Sequence, residues 1–567
     1  MSQILMFLAT LSFLSLLSSP SLAIEIPFVG NVGIPGIGNA MSPTNVCRFA
    51  PDPSYCRSIL PNQPGDIYSY GRFSLRRSLS RANRFMSLIE AELDRKGKVA
   101  AKATVQALED CKFLAGLTTD YILSSSRTID ATKNLSYSRA EDVHTFLSAA
   151  ITNEQTCLEG LKTASENGFS SDLFNDTKLY GVSLALFSQG WVPRRQRSRP
   201  VWQPEEGFKK FFGLRDGRLP LNMTEKARAI YNTVTRRKLL QAGADAVQVS
   251  DIVTVDQNGN GTFTTINEAV AAAPNKTDGS NGYFLIYVTA GLYEEYVEVP
   301  KYKRYVMMVG DGINQTVITG NRSVVDGWTT FNSATFILSG PNFIGVNMTI
   351  RNTAGPTKNQ AVALRSGGDF SVFYSCSFEA YQDTLYTHSL RQFYRECDVY
   401  GTVDFIFGNA ALVLQNCNLY PRQPRKGQAN EVTAQGRTDP NQNTGTTIHG
   451  CTIRPADDLA TSNYTVKTYL GRPWKEHSRT VVMQSYIDGF LDPTGWNAWS
   501  GDFALSTLYY AEYNNTGPGS NLTNRVTWPG YRVINASDAS NFTVTNFLVG
   551  EGWIGQTGVP FVSGLIA

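Results

Sequence analysis

Histidine is scarce in this chain of 567 residues: there are four, too few to make a zinc site a natural reading. No G-x-S-x-G elbow occurs, which argues against a serine esterase. No stretch beyond the first two dozen residues is apolar enough to span a bilayer. The first residues, MSQILMFLATLSFLSLLSSPSLA, also lack the usual charged start. Their apolar run falls short of the ~20 residues a spanning helix needs. It ends in the small-x-small triplet Ser21-Leu22-Ala23, so residues 1–23 are expected to be a cleaved secretory signal rather than a membrane anchor.

What is present divides in two. The net charge is +3, but residues 1–240 hold 30 Lys+Arg against 21 Asp+Glu, leaving 21 against 27 for residues 241–567. Length alone implies more than one domain. Export makes disulfides the default for the eight cysteines. Four lie in the basic part (Cys47, Cys56, Cys111, Cys157) and four in the acidic part (Cys376, Cys397, Cys417, Cys451). N-x-Ser/Thr triplets at Asn134, Asn175, Asn222 and Asn514 fit a secreted glycoprotein, whereas Asn347 sits inside a strand-like run.

In residues 24–190, Cys47 and Cys56 bracket a short segment with two prolines that is expected to be a disulfide-closed turn, and from Ser74 the pattern becomes helical. Leu108, Cys111, Leu114, Leu117 and Tyr121 recur at three or four residues, as do Val143, Phe146, Leu147, Ala150, Ile151, Cys157, Leu158 and Leu161. A further apolar helix is expected at 179–187. These make an all-α bundle, in which Cys111 and Cys157 could join two helices. His144 reads as a surface or packed side chain. Residues 191–240 are Pro- and Arg-rich and read as a linker with two basic clusters, RRQR at 194–197 and Arg236, Arg237, Lys238, Leu239, Leu240. Nucleic-acid binding is one reading of such clusters. In an exported protein, proteolytic processing after RRKLL is the better one.

From Val247 the chain changes to short β-rich runs separated by Gly, Asn and Asp, with one helix expected at 265–273. SVFYSCSFEAYQDTLY superposes on QFYRECDVYGTVDFIF and then on LVLQNCNLYPR, a repeat of about twenty residues. A sandwich gives no reason for cysteine and aspartate to recur at one period. A right-handed parallel β-helix does, because equivalent positions on successive coils lie ~4.8 Å apart. On this reading Cys397 and Cys417 are close enough for a disulfide, and Cys376 is an equally legal partner. Asp383 and Asp404 also fall in register. Set among Tyr381, Leu385, Tyr386, Val403, Phe405, Ile406 and Phe407, the pair should titrate as a coupled unit, an acid beside a base. The bland alternative is that each merely caps a turn. His388 suggests a triad with Asp383, which the absence of a serine elbow weakens. DQNGNG at 256–261 reads as a turn.

The motifs GLYEE at 291–295, QAVAL at 360–364, YQDTLY at 381–386, GTVDFIFG at 401–408 and LGRPW at 470–474 occur in the order of the plant pectin methylesterases, which the chain resembles from about Val247 onward, so that residues 241–567 are expected to be a β-helix pectinesterase domain. The helical part resembles the invertase and pectin-methylesterase inhibitor family, an arrangement found in the longer pectinesterases. The resemblance implies secretion to the plant cell wall and hydrolysis of methyl esters on pectin galacturonate without a metal or cofactor. It implies that Asp404 is the nucleophile, Asp383 the general acid and then base, and Gln360 and Gln382 oxyanion donors. Arg472 and Trp474 would position nucleophile and substrate, with Thr330, Tyr386, Phe407 and Trp499 lining the groove. Implied partners are pectin, a processing protease and separate inhibitor proteins, with no nucleic acid and no membrane. Two carboxylates about 5 Å apart also suit a retaining polysaccharide hydrolase. A lyase or a non-catalytic wall-binding solenoid completes the alternatives.

Overall fold

A computed structural model describes residues 39–96, 100–164, 170–192, 219–234 and 246–566. The expected signal segment 1–23, the cluster at 194–197 and the processing residues Arg236–Leu240 lie outside the described residues.

The amino-terminal part is helical. Two short helices, Pro43–Cys47 and Pro53–Ile59, precede four long ones, Ile67–Lys96, Lys102–Asp130, Tyr137–Thr163 and Ser170–Gly190. Proline near the start of each short helix costs no hydrogen bond, because the first turn has no intrahelical acceptor for its N–H groups. Disulfides join Cys47 to Cys56 and Cys111 to Cys157, the latter tying the second long helix to the third. Leu75, Ala82, Ile122, Val143, Leu147, Leu184 and Phe187 pack along the bundle axis.

Beyond the bundle, the described residues form a parallel β-helix of three sheets with twelve, eight and seven strands. Sheet neighbours along the second half of the solenoid come from successive coils, so each rung lies about 4.8 Å above the last. The coil length has a local cause. Ser375, Glu396 and Asn416 all adopt left-handed backbone (φ 53°, 53° and 55°), and Cys376, Cys397 and Cys417 follow them directly into the core. One left-handed corner per coil turns the chain inward at the same place each time. Aromatic rings stack up the interior on this frame, Phe373 and Tyr394 lying 5.1 Å apart and nearly parallel. The helix Ile266–Ala272 closes the end of the core, one residue shorter at each end than expected because Thr265 is its cap in a reciprocal capping box with Glu268.

Two expectations are corrected. Cys397 and Cys417 are buried thiols, as are Cys376 and Cys451, and form no disulfide. In a parallel stack the side chains project side by side, so each thiol turns to a carbonyl of the coil beneath it: Cys397 Sγ to Phe373 O (3.4 Å), Cys417 Sγ to Tyr394 O (3.5 Å) and Cys451 Sγ to Leu414 O (3.4 Å). The segment read as linker also contains structure. Its strand Leu221–Met223 pairs in parallel with Val247–Val255 and forms the edge of the twelve-stranded sheet, and the helix Glu225–Val234 follows. The sheet edge therefore begins upstream of residue 241.

Candidate functional site

The seven-stranded sheet carries the site. Its strands Leu364–Ser366, Leu385–Thr387, Ile406–Gly408 and Asn430–Gln435 lie side by side. Alternation puts Leu364, Leu385 and Ile406 in the core, whereas Arg365, Tyr386 and Phe407, which are register partners, face out as a floor. Tyr386 and Phe407 stack with ring centroids 4.2 Å apart, and Trp474 meets Phe407 edge-on at 5.9 Å.

Asp383 and Asp404 each stand two residues before a strand, at equivalent places on adjacent rungs. Their turns are joined by a hydrogen bond from Asp383 N to Val403 O (3.0 Å). Both are left-handed, with φ of 64° and 52°, a conformation that aspartate tolerates better than most residues. This backbone lifts each carboxyl out of the turn onto the floor.

Charge separates the two. Arg472, just beyond the strand Thr468–Gly471, holds Asp404 through two parallel hydrogen bonds, Nε to Oδ1 at 2.8 Å and Nη2 to Oδ2 at 2.7 Å. Burial raises the pKa of Asp404, and Arg472 offsets part of that rise. Among the described residues Asp383 has no such partner. Burial, then the neighbouring Asp404, raise it well above the ordinary aspartate value. Asp383 therefore keeps its proton where Asp404 releases one. A carboxylate held by a guanidinium can attack a carbonyl, and a protonated carboxyl beside it can protonate the group that leaves.

The other expected residues distribute around this pair. The turns bearing Gln360 and Gln382 are joined by Ala361 N donating to Gln382 O (3.2 Å), which brings both half-buried amides beside the Asp383 rung. Arg472 lies 4.5 Å from the ring centre of the exposed Trp499. Thr330 contributes a carbonyl that accepts from Ser333 Oγ (2.9 Å). His388 is not part of a triad: its Nε2 meets Thr156 Oγ1 (3.0 Å) and its Nδ1 meets Ser389 Oγ (3.0 Å), neither of them a carboxylate. Glu295 of GLYEE lies outside the site and accepts from Ile266 N and Asn267 N at the start of the core-capping helix.

Sequence reasoning missed a third carboxyl. Glu431, fully buried, approaches Arg472 Nε at 4.0 Å and accepts from Asn497 Nδ2 at 2.8 Å. Burial pushes its pKa up to about 7. No sequence signal marks it, because it has no repeat partner and Arg472 comes from a later coil.

Also unforeseen was how the bundle sits. Its helices Lys102–Asp130 and Tyr137–Thr163 lie over the floor, and Leu108, Leu114, Cys157 and Leu161 share one apolar cluster with Phe331, Tyr386, Phe407 and Trp474. Polar contacts ring the seam: Arg391 pairs with Asp142 (2.9 Å), Lys475 with Glu159, Asn409 donates to Thr152 (2.9 Å) and Gln442 to Ser148 O (2.9 Å). His144 lies in this seam, its Nε2 2.7 Å from Asn441 O.

Family models match both parts, the pectinesterase model over residues 252–551 and the plant invertase/pectin methylesterase inhibitor model over residues 42–186. The chain is 86% identical to the "Probable pectinesterase/pectinesterase inhibitor 20" of Arabidopsis thaliana over the whole of both chains. It is 63% identical to number 7 of the same series and organism over 92% of this chain and 95% of that one. Among solved structures, pectin methylesterase from carrot superposes with a TM-score of 0.54 at 52% identity, covering 55% of this chain and 98% of that one. The chain belongs to the pectinesterase family and carries a plant invertase/pectin methylesterase inhibitor domain ahead of its β-helix.

Proposed function

We propose that the β-helix hydrolyses methyl esters of pectin galacturonate with Asp404 as nucleophile and Asp383 as acid and base. The observation that carries this reading is the asymmetric pair: two stacked carboxyls, one clamped by Arg472 and the other raised well above the ordinary aspartate value by burial and by its neighbour's charge. An Asp404 oxygen attacks the ester carbonyl carbon, and the oxyanion accepts hydrogen bonds from the Gln360 and Gln382 amides. Collapse breaks the bond to the methoxy oxygen, which takes the Asp383 proton and leaves as methanol. Asp383, now ionised, removes a proton from water, whose oxygen attacks the acyl carbon and frees Asp404. The uronate leaves as a carboxylic acid that ionises in solution, and Asp383 is again protonated. Arg472 holds the nucleophile, and Trp474, Tyr386, Phe407, Thr330 and Trp499 line the groove for the sugar rings.

The rest of the chain is read around that reaction. Residues 1–23 direct export to the cell wall, residues 24–190 form a pro-region that blocks the floor in cis, and a protease cutting in the basic segment, at 236–240, releases it. The support for blocking is the apolar cluster shared by the bundle with Tyr386, Phe407 and Trp474. Separate inhibitor proteins would meet the same floor.

The test is product analysis on methylated pectin, with the chain before and after cleavage in the basic segment. Methanol released without chain scission supports the esterase. New reducing ends would point instead to a hydrolase, unsaturated ends to a lyase, and no turnover to a binding protein. Equal activity before and after cleavage would remove the blocking role.

A further inference from the structure

The third carboxyl, Glu431, is placed by its own backbone. Its N–H donates to Thr402 O (3.3 Å) and its carbonyl accepts from Phe405 N (3.2 Å), so it sits on the rung next to the turn that carries Asp404. Arg472 N donates to Thr433 O (3.0 Å), which returns the arginine to the same strand. The guanidinium therefore lies between two carboxyls. Asp404 takes it in two parallel hydrogen bonds, and Glu431 Oε2 lies 4.0 Å from the Nε that serves Asp404 Oδ1. The ring of Trp499 lies against the same guanidinium, at 4.5 Å.

Glu431 also holds the loop that delivers Trp499. Asn497 N donates to Gly471 O (3.0 Å) and Asn497 Nδ2 to Glu431 Oε1 (2.8 Å), two residues before Trp499. One carboxyl thus faces the arginine that grips Asp404 and ties down the loop whose tryptophan lies on that arginine. Its charge decides how the arginine is shared. Uncharged, Glu431 leaves Arg472 to Asp404; ionised, it competes for Nε and adds a second negative charge beside a reaction that itself builds an oxyanion. Burial pushes its pKa up to about 7, with Arg472 working against that rise and Asp404 adding to it. Asp383 acts on the same guanidinium by charge. Tyr469, the register partner of Glu431, keeps its hydroxyl proton in this range because burial raises it.

We propose that Glu431 is a positioning residue for the nucleophile: through Arg472 it sets the grip on Asp404, tight while Glu431 carries a proton and looser once it ionises. The kinetic consequence rests on the esterase reading, whereas the sharing of Arg472 does not. Asp404, Glu431 and Asp383 then lose their protons in that order around Arg472, as a coupled set. The middle ionisation falls inside the active window, and activity steps down across it.

The test compares wild type with Glu431→Gln, which keeps an oxygen for Asn497 and removes the ionisation. In methanol release from methylated pectin by the cleaved chain, the ratio of kcat at pH 8 to kcat at pH 6 should be about tenfold higher in Glu431→Gln than in wild type, the size of one pKa unit of coupling. Glu431→Leu, which also drops the Asn497 bond, should show the same ratio with a raised KM. A role confined to packing would lower activity equally at both pH values, and a Glu431→Gln chain with the wild-type ratio would overturn the proposal. A second arm needs no turnover. In the full chain, the fluorescence difference between wild type and Trp499→Phe isolates Trp499, and across a titration from pH 5 to 9 it should change with a midpoint at about 7. The same difference in a Glu431→Gln background should be flat. The Asp110 ionisation of the docked bundle is common to both backgrounds and does not distinguish them. A step that survives Glu431→Gln, or none in wild type, would also overturn the proposal. Failure to release methanol with the fluorescence step intact would strike the esterase reading alone.

Discussion

At the scale of residues, the proposed chemistry rests on the unequal treatment of two identical side chains. Asp404 must be ionised and Asp383 protonated for the proposed reaction, and burial raises both while Arg472 lowers only the first by direct hydrogen bonds. Activity should therefore rise as pH climbs through the Asp404 pKa and fall as it climbs through that of Asp383, with both limbs above the ordinary aspartate range. Asp383→Asn removes the proton donor, and kcat should drop about 10²- to 10⁴-fold with loss of the alkaline limb. A pH–rate profile of the cleaved chain checks this. Arg472→Lys keeps the charge but loses the two-point grip, so kcat should fall more than KM rises and the acid limb should move to higher pH.

At the scale of elements, the repeat was legible in the sequence because each coil reuses one left-handed corner. Ser375, Glu396 and Asn416 occupy it, and the cysteines that follow them give the period away. The same logic puts Asp383 and Asp404 in register from the sequence alone. Side-chain direction was not legible: a Cα spacing that permits a disulfide does not turn two parallel thiols toward each other. Alkylation of the denatured, unreduced chain should therefore modify Cys376, Cys397, Cys417 and Cys451 and spare Cys47, Cys56, Cys111 and Cys157, as mass spectrometry would read directly. The stacked core makes a second expectation. Phe373 touches Phe343, Phe378 and Tyr394, so Phe373→Ala should cost about 3–5 kcal/mol in denaturant unfolding of the β-helix.

At the scale of the molecule, the covering of the floor by the bundle could not be read from the chain. Ser148, Thr152 and Thr156 look like ordinary polar positions on a helix, and only docking reveals that Gln442, Asn409 and His388 meet them. Glu431 was hidden for a related reason, since its partners Arg472 and Asn497 arrive from later coils. Docking should respond to pH. Asp110 is raised from 3.8 to about 7 by burial, so its contribution favours the docked state below 3.8 and is lost as pH rises through 7. His388 is lowered from 6.5 to about 3 by burial, so it opposes docking as pH falls below 6.5. The two partly cancel in mildly acid solution, and near neutrality Asp110 gives the residual slope. Asp110→Asn should flatten the loosening between pH 6 and 8, as hydrogen exchange at Tyr386 and Phe407 would report.

The central claim is that Asp404 attacks the methyl ester. Methanol release from methylated pectin by the cleaved chain, compared between wild type and Asp404→Asn at equal folded concentration, tests it most directly. A fall of about 10³-fold or more with pectin binding retained is the result predicted. Methanol release by Asp404→Asn at the wild-type rate would contradict it.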